Sequence, residues 1–225
     1  MVGGTSGGTL EMFEVYKPAH AVYKIFDEVG ADKSAYYTAQ GGSEIAWEYA
    51  RGPGIMGGPD DAPLEKRGSR PDHVLLDPLL CDALFKGAVK KGDAYPSEVP
   101  KAQLGPLFLK RMQAHTVVKK GGREELKKGG IAPVQIVVEK RAGNKKMTRV
   151  SGLEAFLIDP AELAPAVGRK FAASATVGEA LGKKNQMEIS VQGDWMEGLT
   201  ALLSDEYGIP RRYIEGIDRA GGKKR

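Results

Sequence analysis

"APVQIVVEKRAGNKKMTRVSG", residues 132–152, decides how the second half of this chain folds. The Val and Ile enrichment of "APVQIVVEK" predicts a strand, and "KMTRVSGL" reads as a second one. Ala142-Gly143-Asn144 between them is small and turn-forming, so the two strands make a hairpin. Within residues 139–150 lie five basic side chains: Lys140, Arg141, Lys145, Lys146 and Arg149. A positively charged hairpin tip therefore needs a chemical explanation.

Working outward, "IDPAELAPAVGRKFAAS" predicts a helix capped by Asp159, with Pro160 in its first turn. Leu163, Val167 and Phe171 recur every four residues and share one face. Pro165 and Gly168 predict a distorted start. "ATVGEAL" and "QMEISVQG" read as two short strands. "DWMEGLTALLSDEYGIP" predicts a clean helix with Asp194 as cap, Glu197 three residues on, and Met196, Leu199 and Leu203 along one side. Gly208 ends it and Pro210 forbids extension. "RRYIEGI" is a last strand. The order β-β-α-β-β-α-β over residues 132–219 implies a two-layer α/β sandwich: a mixed sheet with two helices on one face.

Residues 11–118 read as a mostly helical domain. Thr38 caps a helix that carries Ile45, Trp47 and Tyr49 and stops at Gly52. Asp77 and Pro78 start another, with Leu79, Leu80, Ala83 and Leu84 on one face. A short helix is expected over 104–112, leading into a strand-like "HTVV". Trp47, Leu79, Leu80, Leu84 and Phe108 are the expected core. Residues 51–72 are Gly- and Pro-rich and read as a long loop. Residues 119–131 read as a solvated linker, 1–10 as a flexible leader and 220–225 as a basic tail. The fold class is thus α+β, a helical domain followed by the sandwich.

Composition narrows the function classes. The chain has 225 residues, 33 Lys plus Arg against 29 Asp plus Glu, and a net charge of +4. That is a mild lean towards a polyanionic partner. No apolar run approaches the roughly 18 residues of a spanning helix, and the N-terminus lacks the pattern of a secretory signal. One cysteine forms no internal disulfide, which fits the cytosol or nucleus. Cys81 lies on an apolar helical face and reads as a structural thiol. His20, His73 and His115 lack metal-ligand spacing. Asp60-Asp61 and Glu124-Glu125 fall in predicted loops. "GGTSGGT" lacks the Lys-Ser/Thr ending of a phosphate loop. No catalytic residues, metal or cofactor are expected.

Several motifs of the second half, in order, resemble the small domain of eukaryotic initiation factor one. They are "NKKMTRVSGLEAFLID", "RKFAASATV" with Ala173 at the family's cysteine position, "VQGD" and "YGIPRRYIE". In the first half, "VYKPAHAVYKIFDEVGA", "YYTAQ", "LLDPLLCDALFKG", "YPSEV" and "LGPLFLKRMQAHTVV" resemble the SWIB-type domain that precedes this fold in ligatin-type translation initiation and recycling factors. Such factors usually begin with a PUA region and a winged helix, and neither is read here. The resemblance implies a non-enzymatic cytoplasmic translation factor. It would bind the small ribosomal subunit near the P site, placing initiator tRNA or releasing tRNA and mRNA after termination. The implied partners are ribosomal RNA, initiator tRNA, mRNA and other initiation factors. Carried onto this sequence, the RNA-binding residues are Arg141, Gly143, Asn144, Lys145 and Lys146 at the tip. Arg149 on the strand follows, with Arg169 and Lys170 on the first helix. The alternative is a protein adaptor, possible in the nucleus, that uses a groove of the SWIB-like half.

Overall fold

The computed structural model describes residues 8–52, 63–66, 69–90, 94–141, 143, 145–180 and 186–220. They divide into two compact units, residues 14–116 and residues 117–220 together with 8–13.

The first unit is helical with short strands. β1, Glu11–Lys17, begins in the other unit and enters this one at residue 14; the rest are α1 Tyr23–Glu28, α2 Ala39–Arg51, β2 His73–Leu75, α3 Pro78–Phe85, β3 Glu98–Pro100 and α4 Lys101–Leu109. The caps fall where side-chain chemistry places them. Thr38 Oγ1 accepts from Gly41 N at 3.0 Å, and Asp77 Oδ1 accepts from Leu80 N at 2.8 Å. Leu80, Leu84 and Phe108 are buried, while Trp47 and Leu79 pack partly buried against the same cluster. The third helix of the expected core starts at Lys101 rather than residue 104. Pro100 closes β3, and the chain turns directly into α4. Burial holds the Cys81 thiol above its usual pKa, assisted by Asp77 and Asp82.

β4, Gln113–Lys120, and β5, Arg123–Lys128, correct the linker expected at 119–131. Gly121 (φ +56°) and Gly122 (φ +77°) both take left-handed backbone, so they form a tight turn joining two strands. The charges that suggested a solvated linker pair along and across the strands: Lys119 with Glu124 at 2.9 Å and Lys127 with Glu125 at 3.1 Å. β1, β4 and β5 form a three-stranded sheet in that order. Of the expected leader, residues 1–7 lie outside the described residues, as do 221–225 of the expected tail. Leu10 packs against the second unit's core.

The sandwich follows the expected order: β6 Val134–Lys140, β7 Lys146–Ser151, α5 Pro160–Phe171, β8 Ala175–Glu179, β9 Met187–Gln192, α6 Met196–Ala201 and β10 Ile214–Asp218. The sheet runs β10-β6-β7-β9-β8. It is mixed, because β10 pairs parallel with β6 while the other neighbours are antiparallel. Alternation sends Val134, Ile136, Val150, Ile189 and Val191 to one face. Leu163 and Val167 of α5 join them in one cluster with Leu199 of α6 and Leu203 just beyond it. Asp159 caps α5 through Ala161 N at 2.8 Å. The helix continues through Pro165, which has no N–H to donate to the turn before it.

Asp194 does not cap α6, contrary to expectation. Trp195 occupies the cap position without a side-chain hydrogen bond, and α6 starts at Met196. The Asp194 carboxylate instead reaches Lys146 Nζ at 2.7 Å. After Ala201 the helix widens into a π turn, Leu202–Glu206. Gly208 (φ +74°) then ends it, with Ile209 N donating to Leu203 O at 3.0 Å.

Candidate nucleic-acid interface

The finger is the β6–β7 hairpin. Six residue pairs hold it in register, from Gln135↔Ser151 to Lys140↔Lys146. Beyond the last pair, Arg141 N donates to Lys145 O at 2.8 Å and closes the loop. Gly143 has φ +70°, a conformation that disfavours a Cβ, and nothing stands within 4 Å of one built there. The glycine is therefore required by the turn and not by crowding. Asn144 lies outside the described residues.

Lys140, Arg141, Gly143 and Lys145 are exposed. Lys140, Arg141 and Lys145 make no ion pair among the described residues. Lys140 stands directly opposite Lys146, an unfavourable like-charge arrangement. Asp194 relieves it: its hydrogen bond and charge raise the Lys146 pKa. Asp218 acts on Lys146 in the same sense, more weakly, and four cations against these two carboxylates leave the tip net positive.

A corner between β9 and α6 holds the base of the finger. Gly193 N donates to Lys146 O at 2.9 Å. The buried Thr148 hydroxyl donates to Gly193 O at 2.8 Å and accepts from Trp195 N at 3.0 Å. Trp195 Nε1 donates to Gln192 O at 2.7 Å, and its ring stacks on Phe171 with centroids 4.8 Å apart. Gly193 (φ +112°) leaves no room for a side chain, since a Cβ would lie 2.5 Å from Trp195 Nε1. The last turn of α5 is thus tied to the finger's base.

Three of the expected RNA-binding cations sit differently from the tip. Arg149 faces the helix-free side of the sheet, where Nη1 meets Glu188 Oε1 at 2.5 Å and Nε lies 3.2 Å from Glu139 Oε2. Its side chain is 21% exposed and already neutralised by two carboxylates. Lys170 pairs with Glu206. Arg169 lines a cavity of about 810 Å³ together with Lys120, Arg123, Glu162, Asp205 and Glu206. That lining mixes both signs, unlike the tip. Within it, burial lowers the Lys120 pKa, and the ammonium stands 4.8 Å from the Tyr207 ring centroid.

Sequence reasoning missed Asp194, Thr148 and Arg219 as parts of this site. Arg219 follows β10 and reaches the finger because β10 runs parallel to β6. Its N–H donates to Val138 O at 2.8 Å, and Nη1 lies 3.6 Å from Glu139 Oε1. The charge cluster near the C-terminus was the available signal, but the strand pairing was not. Among the described residues no cluster of His, Cys, Asp and Glu could hold a metal ion. Among them, too, no helix is long and apolar enough to cross a membrane.

The chain is similar in sequence and in fold to proteins described as translation factors. Residues 130–210 match the family described as translation initiation factor SUI1. The chain is 37% identical over 148 residues to eukaryotic translation initiation factor 2D of Oryctolagus cuniculus, covering 65% of this chain and 26% of that protein. The Homo sapiens factor 2D is 36% identical over 155 residues, with 68% and 26% coverage. Translation machinery-associated protein 64 of Saccharomyces cerevisiae is 26% identical over 226 residues, 98% of this chain and 37% of that protein. The match therefore spans about a quarter of the length of the factor 2D relatives. The crystal structure of the C-terminal domain of human eIF2D superposes with a TM-score of 0.67 at 28% identity, covering 95% of this chain and 100% of that one.

Proposed function

We infer, from the premise that this chain is homologous to eukaryotic translation initiation factor 2D and carries a SUI1 domain, that it acts on the small ribosomal subunit in translation initiation or recycling. The β6–β7 finger is the contact. It enters the nucleotide-lined groove near the P site and assists initiator-tRNA placement or release of tRNA and mRNA after termination. The observation that carries this reading is the tip itself. Lys140, Arg141 and Lys145 are exposed, free of ion pairs among the described residues, and mounted on a hairpin whose base is locked. Cations presented in this way displace counterions from phosphates, a driving force that weakens as salt rises. Arg141 adds a planar fork suited to phosphate or a base edge, while Lys145 acts as a point charge. The partners are small-subunit ribosomal RNA with the tRNA and mRNA beside it, and the place of action is the cytoplasm.

Sedimentation of the full chain with small ribosomal subunits across a salt series tests this. Wild type should bind with a steep salt dependence. The variant Arg141→Ala, Lys145→Ala, Lys146→Ala should bind weakly and less steeply. Binding by that variant with undiminished affinity and slope would defeat the assignment.

A further inference from the structure

We propose a second RNA contact in the same unit, formed by Arg211 and Arg212 at the end of the sheet opposite the finger. This rests on the reading that the finger binds ribosomal RNA. The two arginines occupy a short 3-10 turn, Arg211–Tyr213, just ahead of β10. β10 runs parallel to β6 with Ile214 beside Val134, so this turn lies at the N-terminal end of β6. The finger projects from the C-terminal end of β6, beyond Lys140. The six residue steps of β6, about 3.3 Å each, set the strand ends that carry the two cationic sites roughly 20 Å apart. That is comparable to the width of an RNA duplex, so one structured RNA could meet both.

The turn is rigid. Ile209 is fully buried, Gly208 fixes the bend before it, and Tyr213 N donates to Pro210 O at 2.8 Å. The Tyr213 ring packs against Phe156, centroids 5.9 Å apart. The Arg212 guanidinium stands 5.0 Å from the same ring's centroid. Ring contact pre-orders the guanidinium while leaving its N–H edges able to donate, an arrangement suited to phosphate oxygens.

Among the described residues of the unit, charge bookkeeping separates these arginines from most other cations; Lys128 is also exposed without an ion pair, but it stands singly beside the paired Lys127. Lys119, Lys127, Lys146, Arg149, Lys170 and Arg219 are each ion-paired. Arg169, Arg123 and Lys120 share their cavity with acidic side chains. Arg211 and Arg212 are exposed and make no ion pair among the described residues. The next carboxylate along the chain, Glu215, stands 3.4 Å from Gln135 Nε2 instead. Outside the finger, these are adjacent unneutralised cations held on an ordered backbone. A phosphate backbone is the partner that such a pair fits.

The test uses the full chain and purified small ribosomal subunits, with affinity measured over a salt series. Arg211→Ala/Arg212→Ala should weaken binding roughly tenfold and flatten the log-affinity against log-salt slope by between one and two. Arg211→Lys/Arg212→Lys should restore the slope, because charge is what releases counterions. Thermal midpoints should match wild type in both; should the alanine pair unfold, Arg211→Gln/Arg212→Gln replaces it and should lose affinity and slope alike. Unchanged affinity and slope in the neutral variant would overturn the second contact. Weaker binding at an unchanged slope would overturn it too, by pointing to a ribosomal protein. If only the arginine pair is silent while the finger variant loses binding, the finger reading survives alone. If both are silent, the finger reading falls with it.

Discussion

Replacing Thr148 with Val tests whether the corner beneath the finger holds it in place. The side chain is fully buried, and Val matches its shape, so no cavity or overpacking follows. What disappears is the hydroxyl that bridges Gly193 O at 2.8 Å and Trp195 N at 3.0 Å. Both backbone groups would lose a partner at a part-buried position. A buried group left without a hydrogen bond costs about 1–3 kcal/mol. Partial solvent access at this corner argues for the lower half of that range at each group. The sum over the two groups is a loss of about 2–4 kcal/mol in the stability of the sandwich unit. Thr148→Ser keeps the hydroxyl and drops one methyl, which should cost about 1 kcal/mol. Urea unfolding followed by Trp195 fluorescence, in a Trp47→Phe background, reads this unit directly. The finger-base amide of Gly193, which donates to Lys146 O, should also exchange faster with solvent in the Val variant. A Val variant within about 0.5 kcal/mol of wild type, or one no worse than the Ser variant, would refute the argument that the hydroxyl bridge braces the finger.

Two further outcomes follow from backbone and charge. Ala172 ends α5 in the left-handed conformation with φ +45°, so Ala172→Gly should stabilise the unit by about 0.5–1 kcal/mol, seen as a higher thermal midpoint. Lys120 has its pKa lowered chiefly by burial, with Glu162 opposing. A base whose folded pKa is depressed destabilises the fold while charged, and that penalty fades as pH rises from the folded towards the unfolded value. Lys120→Met should therefore be more stable than wild type near neutral pH, with the gap closing as pH approaches the ordinary lysine range. A constant gap across that titration would assign the effect to packing instead.

Much of the sandwich was legible because its signals are local. Val and Ile enrichment marked β6, Asp159-Pro160 marked the start of α5, and Gly208 with Pro210 marked the end of the last helix. Each works through residues a few positions apart, so the chain carries it without knowing its tertiary partners. The failures share the opposite cause. "KKGGRE" looked like a solvated linker because glycine and charge are common to linkers and tight hairpins. Whether Lys119 meets Glu124 depends on the two strands having paired. Asp194 looked like a cap by its spacing, yet a lysine 48 residues earlier had the stronger claim on it.

The candidate site divides along the same line. Sequence by itself determined that a turn with several cations joins two strands, since turn residues and charges are properties of consecutive positions. It also set the order of strands and helices through hydrophobic periodicity. Only the tertiary structure decided which cations remain free. Arg149 is cancelled by Glu139 and Glu188, Lys146 is held by Asp194, and Lys140, Arg141 and Lys145 are left open. The physical reason is distance. Attraction between charges depends on separation in space, and it is strand pairing, not spacing along the chain, that brings a carboxylate within 4 Å of one arginine and leaves another facing solvent.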